Sequence, residues 1–220
     1  GLAISPDDKT VYIAGGGKVL MVTDEDHDGV PDSEKVIIDD LPSFTYDAHS
    51  NNGITIGPDG KLYMTLGGTS DHGPENHPLA GAVLTANNDG SGLRVYAPGL
   101  RNSYDLAFDS KGTLIATDNQ PDVLDTDLTW EPPEELNIIR EGENYGYPDV
   151  FGFPPPWSDS TAPIALFPSH SVATGVVAYS GEQFPSEYQD KIFVTLFGPL
   201  VNPKYRGLVT PKVVVVTLVE

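Results

Sequence analysis

The chain has 220 residues, 39% of them hydrophobic, with 23 glycines, 20 prolines and no cysteine. That length can bury a core without disulfides, and the lack of cysteine excludes thiolate catalysis, thiolate metal sites and a disulfide framework. Twelve basic against 32 acidic side chains give a formal charge of -20, which repels phosphate backbones and anionic headgroups and excludes nucleic acid as a partner.

Apolar residues come in short bursts separated by Gly, Pro, Asn and Asp, the pattern of many short strands joined by tight turns. The first burst, Gly1-Leu-Ala-Ile-Ser-Pro-Asp-Asp-Lys-Thr-Val-Tyr-Ile, is a strand, a polar turn and a second strand. The same plan returns at Gly53-Ile-Thr-Ile-Gly-Pro-Asp-Gly-Lys-Leu-Tyr-Met-Thr and at Asp105-Leu-Ala-Phe-Asp-Ser-Lys-Gly-Thr-Leu-Ile-Ala-Thr, 52 residues apart both times (53 − 1 and 105 − 53). A weaker copy starts at Gly175 and returns through Lys191-Ile-Phe-Val-Thr. Further strands follow each hairpin, at Lys18-Val-Leu-Met-Val, Val36-Ile-Ile, Ala82-Val-Leu and Gly92-Leu-Arg-Val-Tyr.

Four strands in a period of about fifty residues is the blade of a β-propeller. The expected fold is all-β, about four four-stranded blades at roughly 1–48, 49–100, 101–168 and 169–220, as part of a larger ring. An open β-sandwich with accidental self-similarity is the competing fold, and the repeated turn register argues against it. Pro-rich stretches within 121–168, Glu131-Pro-Pro-Glu and Phe153-Pro-Pro-Pro-Trp, cannot donate to a central sheet ladder and read as surface loops. No stretch is long and apolar enough to span a bilayer, and residue 1 reads as mid-domain, with any signal peptide removed or outside the chain.

Three loops carry candidate chemistry. Asp24, Asp26, Asp28 and Asp32, with the Val30 carbonyl and a glycine at 29, have the oxygen spacing of a calcium loop. Lys35 stands where an EF-hand has its last glutamate, so the expectation is a shorter Asp-rich loop between strands, with Glu34 as a substitute ligand; a solvated acidic turn is the alternative. His49, just before the second blade's first strand, is placed to act as a general base, or as an ordinary hydrogen-bonding loop histidine. Arg101 follows at the same blade position (101 − 49 = 52), so consecutive blades present both residues to one rim. Its planar fork suits a carboxylate ligand, or else one of the chain's many acids.

Taken together, Ala-His-Ser-Asn-Asn-Gly (48–53), Gly-Leu-Arg-Asn (99–102), Asp-Asn-Gln-Pro (118–121), Glu-Glu-Leu-Asn-Ile-Ile (134–139) and Glu-Gly-Glu-Asn-Tyr-Gly-Tyr-Pro (141–148) resemble the pyrroloquinoline-quinone-dependent soluble sugar dehydrogenases of the glucose/sorbosone type. The resemblance implies a six-bladed propeller holding the quinone and a calcium ion over its channel. It implies that His49 takes the hydroxyl proton of an aldose or related sugar while hydride passes to the quinone. It further implies that Arg101 and Asn102 contact the cofactor, Arg101 also polarising the accepting carbonyl, and that the backbone carbonyls of Gln120 and Pro121 bind the cofactor's calcium. An external electron acceptor and an extracellular or periplasmic location come with it. The chain departs from the family at Gly67-Gly68, where Gly-Asp is usual and the Asp orients the histidine; Asp71 or Asp47 are the replacements. It departs again at Gln120-Pro121, where Gly-Pro is usual. The alternative is a non-catalytic, calcium-stabilised propeller serving as an extracellular binding or structural module. A third reading, a calcium-dependent lactonase-type hydrolase, needs acidic and amide side chains converging on one ion, which the sequence does not display.

Overall fold

A computed structural model describes residues 1–42, 49–121, 131–198 and 209–218. The fold is a β-propeller built from antiparallel sheets that follow one another along the chain. The first is β1 (Leu2–Ile4), β2 (Thr10–Gly15), β3 (Lys18–Thr23) and β4 (Ser33–Ile38). The second is β5 (Asn51–Ile56), β6 (Leu62–Leu66), β7 (Ala82–Ala86) and β8 (Arg94–Pro98). The third is β9 (Leu106–Phe108), β10 (Leu114–Asp118), β11 (Glu134–Ile139) and β12 (Ala165–Phe167). The fourth has three strands among the described residues, β13 (Ala173–Ala178), β14 (Ile192–Leu196) and β15 (Lys212–Val216). Phe153-Pro-Pro-Pro-Trp lies outside strands, whereas Glu131-Pro-Pro-Glu runs directly into β11, whose first residue is Glu134, and among the described residues no helix is long and apolar enough to cross a membrane.

The repeat seen in the sequence is a repeated turn. Asp8, Gly60 and Gly112, spaced by 52 (60 − 8 and 112 − 60), take left-handed φ values of 59°, 78° and 80°. Each donates its N–H three residues back, to Ser5, Gly57 and Asp109. An aspartate carboxylate then caps the next amides, Asp7 to Lys9, Asp59 to Lys61 and Asp109 to Thr113. Asx capping with a left-handed residue is the local chemistry that folds each hairpin back on itself.

The core lies between sheets. Met64, Leu66 and Leu84 pack with Tyr12, Val19 and Ile38 from the first sheet, while Val83 and Ala97 on the opposite face meet Leu106, Leu114 and Ile139 of the third. Ile115 and Leu136 meet Ile192 and Val194 of the fourth. Every residue of β6 and β7 is therefore buried, since a middle blade has neighbours on both faces. Leu2, Ile4 and Ile13 on the first sheet, and Val177, Val213 and Val215 on the fourth, are exposed; among the described residues no further sheet covers those two faces.

Asparagine side chains staple neighbouring blades near the channel. Asn51 accepts from Gly17 N–H (2.9 Å) and donates to the Lys18 carbonyl (2.6 Å). Asn52 donates to Asn102 Oδ1 (3.1 Å), and Asn119 both accepts from and donates to the Ala173 backbone (2.7 and 3.2 Å). Gly53 permits the same approach, since a Cβ there would sit 2.8 Å from Asp105 Cα. A cavity of about 620 Å³ runs along these inner strands, lined by Asn52, Asp105 and Thr174 among others. Replacing Asn51 by alanine strands a buried N–H and a carbonyl at the first blade boundary. Denaturant unfolding of Asn51→Ala should show a loss of about 1–3 kcal/mol, whereas an unchanged midpoint would mean the staple is dispensable.

Candidate functional site

His49 and Arg101 sit at the same rim, joined through Gly68. An imidazole N–H of His49 donates to the Gly68 carbonyl, and the Gly68 N–H donates to the Arg101 carbonyl at 2.6 Å. Burial, reinforced by the Arg101 charge, pushes the His49 pKa down to about 4, against the pull of Gly68 and Asp71. The imidazole is therefore neutral over the physiological range, the form able to accept a proton.

Arg101 is buried and pre-oriented. Its Nε donates to the Asp71 carbonyl (2.7 Å), Nη2 to Asp71 Oδ1 (2.5 Å) and Nη1 to the Asn119 carbonyl (3.1 Å). One hydrogen on each Nη is left over from these bonds, and the planar fork of a guanidinium suits a carboxylate or carbonyl. Partial burial works against ionisation of Asp71, but Arg101 and His72 hold its carboxyl below the usual range. Of the two replacements considered for the family's aspartate, Asp71 is thus spent mainly on Arg101; Asp47 lies outside the described residues, as do Tyr46 and Ala48.

The backbone of this rim hangs on Asp118, the last residue of β10. Its carboxylate accepts from the N–H groups of Arg101 (3.0 Å) and Asn102 (2.8 Å) and from Gln120 Nε2 (2.9 Å). Gln120 N–H is turned inward to Glu134 Oε2 (2.7 Å), and Gln120 and Pro121 are both buried. Gln120 Oε1 has no hydrogen-bond partner among the described residues. Gly99, with φ 85°, has no room for a Cβ, which would meet Tyr145 N at 2.7 Å and Gly146 N at 2.8 Å. The Gly-Leu-Arg-Asn and Asn-Tyr-Gly-Tyr-Pro motifs thus touch directly, through Tyr147 N–H to the Gly99 carbonyl (2.9 Å).

Sequence reasoning missed Asp118, because a strand-ending aspartate carries no signal of what it caps. It also missed Ser171. Thr65, Thr117 and Thr195 occupy one blade position, with Thr65 and Thr117 accepting from Gly53 N–H and Asp105 N–H and Thr195 beside Gly175. Counting back from Gly53, Asp105 and Gly175 puts Ser171 at the place held by His49 and Arg101. Ser171 is fully buried and its Oγ has no hydrogen-bond partner among the described residues. The Pro-rich insertion stretches the repeat here from 52 to 78 (195 − 117), which hides the correspondence.

Away from the rim, the acidic loop joins β3 to β4 with no flanking helix. Asp24, Asp26 and Asp28 bring carboxylate oxygens within 4.8 Å of one another. Asp32 instead accepts from Glu25 N–H (2.7 Å), Val30 donates its N–H to Asp28, and Glu34 extends along β4.

A sequence profile of the Glucose / Sorbosone dehydrogenase family matches residues 10–200. The chain belongs to that family. It is 30% identical over 172 residues to an uncharacterised protein of Borreliella burgdorferi, covering 72% of this chain and 44% of that one. It is also 30% identical over 137 residues to quinoprotein glucose dehydrogenase B of Acinetobacter calcoaceticus, covering 48% and 27%. The chain therefore spans less than half the length of these curated relatives. A structure of PQQ-bound aldose sugar dehydrogenase from Streptomyces coelicolor superposes with a TM-score of 0.65 at 23% identity, over 97% of this chain and 66% of that one, which supports the propeller fold. The rim fits a family cofactor: it offers the open Arg101 donors and the unpartnered Gln120 and Ser171 oxygens, which are what a polar, carboxylate-bearing group with a hard cation would complete.

Three buried acids underlie the rim. Burial pushes Glu134 up to about 7, and burial raises both Asp118 and Glu135, which also repel each other across the β10–β11 pair. Glu135 accepts from Gly152 N–H (2.6 Å) and Asn137 Nδ2 (3.2 Å). A carboxyl whose folded pKa lies above its unfolded value keeps its proton longer in the native state, so stability falls as pH rises above the ordinary carboxylate range. Glu135→Gln should therefore melt higher than the parent at about pH 8 and lose that advantage at about pH 4, compared in thermal scans at both pH values. An equal effect at both would contradict the shift.

Proposed function

We propose that the chain is part of a pyrroloquinoline-quinone-dependent dehydrogenase that oxidises an aldose or related sugar. The observation that carries the reading is the coupling of a buried, neutral His49 to an Arg101 held with donors to spare, on one rim of a propeller of this family. The bound quinone would supply the two-electron acceptor for hydride leaving the sugar's hydroxyl-bearing carbon. His49 takes the hydroxyl proton. Its imidazole is neutral down to about pH 4 and is held by Gly68. Arg101 and Asn102 would hold the cofactor's oxygens, and the positive charge of Arg101 would favour acceptance of hydride there. The Gln120 and Pro121 carbonyls are assigned to its calcium, a hard cation that takes oxygen ligands.

The uncovered apolar faces of the first and fourth sheets support further blades completing the ring. The Asp24–Asp26–Asp28 cluster supports a calcium staple between β3 and β4, remote from the chemistry. A sugar substrate, an external electron acceptor and an extracellular or periplasmic location follow from the family resemblance. A non-catalytic propeller is the competing reading; Gly68, where the family has an aspartate, is its support, and membership of the dehydrogenase family with His49 and Arg101 on one rim weighs against it.

Reconstitution of the full-length gene product with pyrroloquinoline quinone and calcium, assayed by dye reduction across a panel of aldoses, tests the enzyme. Absence of both cofactor binding and turnover sinks the proposal. His49→Ala should lower turnover by about 10²–10⁴-fold with cofactor binding retained. For the parent, kcat/KM should hold level through neutral pH and decline only as pH drops to about 4; an acid limb at the ordinary histidine range would remove His49 from the base role. For the loop, a chelator should lower the melting temperature and added calcium restore it, since an ion that binds only the folded state stabilises it by linkage.

A further inference from the structure

Residues 69–75, which leave β6 beside His49, form a loop closed on itself. Glu75 Oε2 accepts from both the N–H and the Oγ1 of Thr69, each at 2.6 Å. Inside that clasp Ser70 Oγ donates to the Gly73 carbonyl (2.6 Å) and meets Tyr147 Oη at 3.0 Å. The tip of the loop is Asp71, which holds Arg101 through its carbonyl and its carboxylate. A short loop of polar residues has many conformations of similar energy, and the carboxylate across its base removes most of them.

The other oxygen of Glu75 is the unusual one. Oε1 is buried with no hydrogen-bond partner among the described residues, and it fills the space a Cβ on Gly68 would need. Arg101's carbonyl lies 3.2 Å from the same point. A carboxylate oxygen is strongly hydrated in water, so leaving one buried and unpaired is costly. Here it lies directly on the peptide that connects His49 to Arg101, while its partner oxygen closes the loop carrying Asp71. Glycine at 68 and glutamate at 75 are thus two halves of one arrangement: the first has no side chain where the second places its own.

We propose that Glu75 is a positioning residue for the ligand fork of Arg101, acting through Asp71, with Gly68 providing the room it requires. The inference rests on the assignment of Arg101 as a cofactor contact. Without Glu75 the 69–75 loop opens, Asp71 leaves the guanidinium, and Arg101 no longer presents its remaining donors in a fixed direction. Charge is not the essential property; the clasp is. Glutamine, which keeps a carbonyl oxygen for the Thr69 donors, should preserve part of the function that alanine loses.

The test uses the full-length protein and two readouts, the affinity for pyrroloquinoline quinone from absorbance titration and the deuterium exchange of residues 69–76. Glu75→Ala should weaken cofactor binding by about tenfold or more, the worth of a charge-assisted hydrogen bond, and speed exchange in the loop, with the melting temperature little changed. Asp71→Asn should weaken binding to a similar degree, and the double variant should be no weaker than either single, because one residue acts through the other. Gly68→Ala should weaken binding as Glu75→Ala does, since its Cβ would displace Glu75 Oε1. Glu75→Gln should recover part of the affinity. Additive losses in the Glu75–Asp71 pair, or unchanged binding in Glu75→Ala, would overturn the inference while leaving the cofactor reading intact. Failure of the parent protein to bind the quinone would instead remove the cofactor reading and this inference with it.

Discussion

The rim depends on one buried carboxylate. Asp118 closes β10 and receives two consecutive backbone N–H groups, from Arg101 and Asn102, together with the side chain of Gln120. Those contacts turn a loop that would otherwise be free to rotate into a fixed ledge. Burying the charge is unfavourable, as the raised pKa of Asp118 shows, and three donors are what make it tolerable. Strand geometry therefore passes into site geometry through a single side chain, and the direction in which Arg101 points is a consequence of where the third blade's second strand ends.

Charge is handled differently at the rim and on the surface. A chain with net charge -20 would repel an anionic ligand from most directions, so attraction must be local. Arg101 supplies it from a nearly buried position, where its field is less screened than that of an exposed lysine. The same guanidinium helps keep His49 unprotonated. One cation thus serves two purposes: it offers hydrogen bonds to a ligand and it holds the neighbouring imidazole in its proton-accepting form.

The architecture was readable because its determinant is local. The turn at Asp8, Gly60 and Gly112 repeats with a fixed period, and each copy needs only a capping carboxylate and a left-handed residue, both visible in the sequence. The equivalence of His49 and Arg101 followed from the same count. Ser171 escaped because the Pro-rich insertion breaks the period before the fourth hairpin. Glu75 escaped for a different reason. Its role depends on the emptiness of Gly68 seven residues earlier, and two positions that fit only in three dimensions leave no periodic trace. The family's usual Gly-Asp pair made Gly68 look like a loss, whereas the structure shows the space already taken.

The contact between Gly99 and the Tyr145–Gly146 backbone has a practical consequence for exchanging parts between relatives. The Arg101 turn belongs by sequence to the start of the third blade, but its shape is set by a loop that comes after β11. A chimera cut at blade boundaries that moved residues 99–102 without 144–148 would join two surfaces never fitted to each other, even with every strand intact. The transferable unit is therefore the turn together with its distant mould, and crossover points chosen from the strand pattern alone would divide it.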